Sequence, residues 1–169
     1  MTTAYAPMPL HLETERLRLR PWAETDAQEL LDLHAERGTG RSTLERVREW
    51  IAQGQARTAE TGFALLRIQL RETGEFVGYC GLIVGRSSAE EPEIAYELLQ
   101  RTHGHGYATE AARAVVGAAT ATGRTRLWAT VGAWNTPSFR VLEKLDFARH
   151  HVTVEEEKGE IVWLTRALP

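Results

Sequence analysis

The stretch whose residue types point most directly to chemistry is Arg101-Thr102-His103-Gly104-His105-Gly106, which runs on into Tyr107-Ala108-Thr109-Glu110-Ala111. It joins an apolar, β-rich run to an alanine-rich one. A glycine-containing loop that opens a helix presents backbone N–H groups without intrahelical partners at the positive end of the helix dipole, which suits a pyrophosphate. Glycine also lets the backbone approach an anion, because no Cβ intervenes. On spacing alone, Gly104 and Gly106 fit a plain strand-to-helix turn equally well. Two other phosphate loops fail on residues: no lysine follows as a Walker-type loop requires, and a Gly-x-Gly-x-x-Gly fingerprint lacks its third glycine. His103 and His105 form an i, i+2 pair with no evident third ligand, so no metal is expected. Cys80, the only cysteine, lies in an apolar run without an adjacent histidine and reads as buried filler rather than a nucleophile.

The elements that must hold this loop follow from hydrophobic period. Leu12 to Arg20 alternates, with Leu17 and Leu19 on one face and Arg16, Arg18 and Arg20 on the other, and reads as a half-exposed strand ended by Pro21. Asp26 is placed to cap a helix carrying Leu30, Leu31 and Leu33. Gly38-Thr39-Gly40 breaks that pattern, and Ser42 with Glu45 makes a capping box for a second helix through Val47, Trp50 and Ile51. Phe63–Leu70 and Glu75–Val84 read as hairpin strands around Glu72-Thr73-Gly74, and Glu93–Leu99 as a further strand. A helix is expected over Tyr107–Ala121, stopped by Gly123, then a strand at Leu127–Val131 and a helix over Pro137–Leu145. The runs at His151–Val154 and Ile161–Leu164 make a last hairpin over Lys158-Gly159. The order β-α-α-β-β-β-α-β-α-β-β mixes hairpins with crossover helices, an α/β (mixed α+β) arrangement.

Composition bounds the rest. At 169 residues the chain fits one domain, residues 1–169, and 43% hydrophobic with 25% charged residues argues against disorder. A formal charge of −3 and a pI near 6.1 disfavour a nucleic-acid partner. A lone cysteine excludes an intramolecular disulfide and fits a reducing, cytoplasmic compartment. Neither an N-terminal targeting pattern nor about 18 consecutive apolar residues is present, so no membrane association is expected.

The segment Arg101-x-x-Gly104-x-Gly106 resembles the GNAT superfamily signature Gln/Arg-x-x-Gly-x-Gly/Ala. Glu93-Ile94-Ala95-Tyr96, the loop itself, Asn135-Thr136-Pro137-Ser138 and Val141-Leu142-Glu143-Lys144-Leu145-Asp146-Phe147 are similar to the branch that holds the ribosomal-protein-alanine N-acetyltransferases. The resemblance spans Leu12 to the C-terminus and is strongest over Glu93–Phe147. It implies a GNAT fold: a twisted mixed sheet of about seven strands with about four helices, splayed between the fourth and fifth strands. It implies acetyl-CoA as co-substrate, no metal, and a primary amine on a peptide or small molecule as acceptor, in a monomer or homodimer. Pantetheine would pair with backbone near Leu98 and Gln100. Arg101, His103, Gly104, His105, Gly106, Tyr107, Ala108 and Thr109 would hold the pyrophosphate, and Asn135 and Ser138 would contact the cofactor arm.

Acetyl transfer from a thioester to an amine needs a neutral amine, a stabilised oxyanion and a proton for the leaving thiolate. Glu93 and Glu97 share one strand face and are the base candidates, Glu93 first; each is also readable as a solvated carboxylate. The family's tyrosine acid falls on Leu142, which cannot donate, so Ser138 is assigned to the leaving thiolate, with a purely helix-terminal role as its alternative. Asn135 orients pantetheine or caps the helix. Relative to the branch, His34 to Ser42 is shortened, which implies a wider acceptor site or one completed by a second subunit. Asp146 stands where the branch has glycine. The competing function is a GNAT-like module that binds acyl-CoA or a protein without turnover.

Overall fold

Alternation decides the outer strands and its absence the inner ones. The computed structural model describes residues 5–38 and 42–169. Its strands are Leu12–Glu13 (β1), Leu17–Arg20 (β2), Leu65–Leu70 (β3), Phe76–Ile83 (β4), Glu93–Leu98 (β5), Arg126–Gly132 (β6), Ala148–Glu155 (β7) and Gly159–Ala167 (β8). The helices are Ala27–Ala35 (α1), Leu44–Thr61 (α2), Tyr107–Thr120 (α3) and Thr136–Lys144 (α4). In β2, Leu17 and Leu19 are buried and Arg18 is exposed, as one-sided burial requires. β4 is buried along nearly its whole length, because helices cover the sheet on both faces there.

The strands form one mixed sheet in the order β1-β2-β3-β4-β5-β6-β8-β7. All neighbours are antiparallel except β5 and β6. Against one face, α1 and α2 pack Leu30, Leu33, Val47 and Ile51 onto Phe76 and Tyr79. On the other, α3 sets Ala111, Ala112, Val115 and Ala119 against Leu82 and Ile94 in a second core that also takes in Leu142 of α4. Alanine suits α3 twice, as a strong helix former and as a side chain small enough for close approach to the sheet. No helix among the described residues is long and apolar enough to cross a membrane.

The sheet has one strand more than expected. Leu12–Arg20 folds back on itself, because the Leu17 carbonyl accepts from Thr14 N–H (3.0 Å) and the Thr14 hydroxyl accepts from Leu17 N–H (3.0 Å). The opening therefore lies between the fifth and sixth strands. At the second helix the cap is Thr43, whose hydroxyl accepts from Arg46 N–H at 3.2 Å, so the capping box expected at Ser42 and Glu45 is replaced by a cap one residue later. Asp26 precedes α1 but does not cap it through its side chain: its carboxylate is held by Arg20 (2.8 Å) and Ala23 N–H (2.7 Å). Thr39 and Gly40, part of the expected break, lie outside the described residues.

Asp146 ends α4 at φ 63°, the one non-glycine residue with positive φ among those described. A side chain there carries a steric cost of about 1–2 kcal/mol, only partly relieved for Asp, which explains the glycine of the resembling sequences. Relief of that cost outweighs glycine's greater unfolded-state entropy, so Asp146→Gly is expected to raise the melting temperature by about 1–3 °C. A lowered melting temperature would show that the carboxylate itself holds the turn.

Candidate active site

The site is built at the one place where the sheet comes apart. Parallel strands β5 and β6 share a single bridge, Glu93 with Trp128, supported by Trp128 N–H donating to Pro92 C=O at 3.0 Å. Beyond that bridge no residue of β5 pairs with β6. Odd-numbered residues of β5 bond to β4, a pattern continued by Leu99 N–H to Val77 C=O (2.9 Å). By the alternation of an antiparallel ladder, the backbone groups of Tyr96 and the Leu98 N–H then face the gap. A cavity of about 240 Å³ occupies it, lined by Glu93, Tyr96, Thr130, Asn135, Ser138 and Leu142 among others.

Glu93 and Ser138, 45 positions apart in sequence, thus share one cavity wall. Glu93 is not the solvated carboxylate of its alternative reading: the residue is 3% exposed. One carboxylate oxygen accepts from the Thr130 hydroxyl at 2.5 Å and the other from Arg86 N–H. Gly85 makes this possible, since a Cβ there would collide with the Glu93 carboxylate. Glu97 is engaged elsewhere. Its carboxylate takes a two-pronged ion pair from Arg37 (2.9 and 2.5 Å) and a hydrogen bond from the Tyr79 hydroxyl (3.0 Å). Burial, and after it the Glu97 charge, pushes the Tyr79 phenol far up, so that hydroxyl stays a donor.

Ser138 sits in the first turn of α4, where Asn135 is the N-cap and accepts from Ser138 N–H at 3.4 Å. Asn135 therefore takes the capping role, beside the cavity. Sequence reasoning missed the partner of Ser138. The Tyr96 hydroxyl lies 2.8 Å from its Oγ and donates to its carbonyl at 3.1 Å. Burial pushes the Tyr96 phenol up to about 12, against the opposing pull of the Ser138 bond. Strand alternation put Tyr96 on the face opposite Glu93, but nothing in the sequence joined it to a residue 42 positions later.

At the loop, Gly104 and Gly106 are left-handed, at φ 82° and 79°. The N–H groups of Gly106 to Thr109 precede the first intrahelical bond of α3, Glu110 N–H to Gly106 C=O (3.1 Å), and have no acceptor among the described residues. A Cβ at Gly104 would meet nothing within 4 Å, so the loop faces open space. An anion fits this arrangement on both charge and room. Tyr107 stacks with His105 at 5.3 Å and lies under the Arg16 guanidinium at 4.6 Å, which brings an unforeseen cation beside the loop. Arg101 is exposed and paired with Glu75 at 3.2 Å. Two expected backbone partners of the cofactor arm are otherwise engaged: Gln100 N–H donates to Glu36 at 2.8 Å, and His103 Nε2 lies 3.0 Å from the Leu98 carbonyl. Cys80 is fully buried, with its thiol pushed far up by desolvation. Among the described residues no group of three or more His, Cys, Asp or Glu side chains is arranged to hold a metal ion.

A splayed parallel pair, a loop with free N–H groups at the start of a helix and a cavity between them are the arrangement expected of a GNAT acetyltransferase. The chain belongs to the GNAT family: residues 16–148 match the family described as acetyltransferase (GNAT) domain. It is 33% identical over 110 residues to an uncharacterized protein, YkkB, of Bacillus subtilis (strain 168), covering 61% of this chain and 64% of that one. The chain thus spans just under two thirds of that relative. It is 25% identical over 164 residues to an uncharacterized N-acetyltransferase, p20, of Bacillus licheniformis, with 88% of each chain covered. The crystal structure of an acetyltransferase from Agrobacterium tumefaciens str. C58 superposes with a TM-score of 0.78 at 29% identity, over 98% of each chain.

Glu110 fastens the loop to the edge of the sheet, accepting from the Thr14 hydroxyl, Arg16 N–H (2.9 Å) and Arg16 Nε (2.7 Å). Burial works to raise its pKa, but the Thr14 and Arg16 bonds outweigh it and hold the carboxyl below the usual range. A carboxyl lowered by folding adds stability above its unfolded value, about 4.3, and loses it as pH falls through the folded one. Glu110→Gln is therefore expected to unfold more readily at pH 7, with the difference from wild type shrinking below about pH 4. Denaturant melts across pH test this. A constant difference would mean the ion pair is not what the carboxylate contributes.

Proposed function

We propose that this chain transfers an acetyl group from acetyl-CoA to a primary amine by direct attack within a ternary complex. The observation that carries this reading is the convergence of Glu93, Ser138 and Tyr96 on the gap between β5 and β6, next to the loop with unpartnered N–H groups. Gly106 to Thr109 bind the pyrophosphate, and the free edge of β5 pairs with the amide-bearing arm. Acetyl-CoA, once bound, supplies a thioester as acyl donor.

Glu93 accepts the proton that the amine loses as the C–N bond forms. Each of its carboxylate oxygens carries one hydrogen bond and retains a further lone-pair site. Ser138, backed by Tyr96, hydrogen-bonds the sulfur as the C–S bond breaks. Magnitude decides how far that assistance goes. Burial pushes the Tyr96 phenol up to about 12, so Tyr96 keeps its own proton. The pair therefore stabilises the departing thiolate as a hydrogen-bonded chain, and the proton that ends on sulfur is the one the amine gave up. With Cys80 buried and unactivated, no acetyl-enzyme forms on it.

Gly104→Val with Gly106→Val is expected to abolish CoA binding by calorimetry, since β-branched residues resist left-handed backbone and crowd the phosphate. Unchanged affinity in the folded double variant would remove the cofactor assignment. Glu93→Gln should lower turnover by about 10²–10⁴-fold, with the defect shrinking as pH rises and the free amine becomes neutral unaided. Tyr96→Phe and Ser138→Ala should each lower kcat by about 2–13-fold without loss of CoA affinity, as the loss of a hydrogen bond of about 0.5–1.5 kcal/mol predicts. Their double variant should be no worse than the more damaging single one. A pH-independent Glu93→Gln defect would assign that residue to structure alone.

A further inference from the structure

A second cavity, of about 650 Å³, opens between α2 and the sheet on the face opposite α3 and α4. It shares Ile83, Gly85 and Ala95 with the cavity in the gap, so the two adjoin at the small side chain of Ala95. Its walls are aromatic: Trp50 lies 6.3 Å from both Trp22 and Tyr79, and Phe63 closes another side. Its charged lining residues are Arg37 and Arg57, with no carboxylate among them. The Arg37 charge is answered by Glu97, whereas Arg57 makes no ion pair among the described residues.

Gly54 adds an independent observation. It stands inside the 18-residue α2, where glycine is the least favourable residue after proline, and a Cβ there would meet nothing within 4 Å. The helix is thinned at the point where it roofs the cavity, which leaves volume free.

Resting on the acetyltransferase reading above, we propose that this cavity takes the acceptor, and that the acceptor is a compact primary amine with an aromatic or branched apolar body and no second positive charge. Before it reaches Glu93 at Gly85, an ammonium carried along these walls meets no carboxylate among the lining residues, Glu97 being held by Arg37 and Tyr79, so desolvation favours the neutral form that attacks. A polyamine would bring a further cation against Arg57 and is disfavoured by the same argument. An apolar ring gains contact with Trp22, Trp50 and Tyr79, and an anionic group at its far end would meet Arg57.

The test uses the full chain and reads three things separately: acetyl-CoA binding by calorimetry, thiol release with a panel of amines, and tryptophan fluorescence on adding amine alone. The panel is phenethylamine, phenylalanine amide, spermidine and an alanine-headed octapeptide. The aryl amines are expected to exceed spermidine and the peptide at least tenfold in kcat/KM. Gly54→Leu, which fills the cavity from a helical position with open space, is expected to raise their KM at least tenfold and leave acetyl-CoA affinity unchanged. Preference for spermidine or the peptide, or indifference to Gly54→Leu, overturns the proposal while acetyl transfer stands. If acetyl-CoA does not bind, the parent reading fails. In that case, or if no amine is acetylated, fluorescence quenching by phenethylamine that Gly54→Leu abolishes sustains the cavity assignment, and no quenching removes it.

Discussion

Everything functional in this molecule depends on two neighbouring strands touching once and then parting. The Glu93–Trp128 bridge is the apex of that divergence. A buried strand edge with free N–H and C=O groups is costly unless something satisfies them. Most folds avoid the cost by pairing the edge, whereas here the amide-rich arm of the proposed co-substrate would satisfy it. The apex must therefore be strong enough to hold a sheet whose two halves share no other backbone pairing among the described residues. Glu93 meets that need, since its carboxylate grips Thr130 on β6 and the backbone of Arg86 after β4. Arg86 in turn reaches Thr130 (2.8 Å) and Glu155 of β7, extending the clasp to the far edge. One buried carboxylate thus closes the vertex of the gap and lines the cavity in it.

The loop at the start of α3 faces a related problem, because a helix terminus cannot satisfy its own first donors. Two left-handed glycines aim those donors at open space, and rigidity comes from outside the loop. Glu110, in the first turn, draws Thr14 and Arg16 onto the helix, so the turn between β1 and β2 braces the loop. A carboxylate at that position also complements the helix dipole without occupying the N–H groups that a phosphate needs. Arg16 serves twice, pairing with Glu110 and covering Tyr107.

The sequence was informative where the physics is local. Periodicity located the later strands and the start of each α-helix to within a few residues, but it gave no end for the second helix, which runs on to Thr61, and it missed the turn at Thr14–Arg16, because the leucine alternation runs straight through it. The glycine loop at the start of α3 was legible through spacing, and Glu93 and Ser138, singled out through spacing and resemblance, line one cavity. What escaped were contacts between distant positions: Tyr96 with Ser138, Glu110 with Thr14, and Glu97 with Arg37. Each joins groups whose separation in sequence carries no period, so only the assembled sheet brings them together. The shortened segment before α2 pointed toward a wider acceptor site or one completed by a second subunit, whereas nothing in the sequence pointed to the volume beneath Gly54, since a lone helical glycine carries no such message by itself.

β5 also separates the two cavities that the proposed function assigns to two ligands. A strand sends successive side chains to opposite faces, so its six residues divide into two sets. Tyr96 reaches α4 and Ser138 on one face, while Glu97 meets Tyr79 and Arg37 on the other, beside the aromatic cavity. Ala95 lies between them and is small enough to leave the two cavities adjoining. Thiolate chemistry and amine delivery can then meet at one point without crossing paths. A slip of one residue in the register of β5 would exchange the faces, turning Tyr96 toward the aromatic cavity and Glu97 toward α4. Register is thus a chemical requirement as well as a packing one, and six consecutive pairs with β4, from Ile83–Glu93 to Gly78–Leu98, enforce it along the full length of the strand.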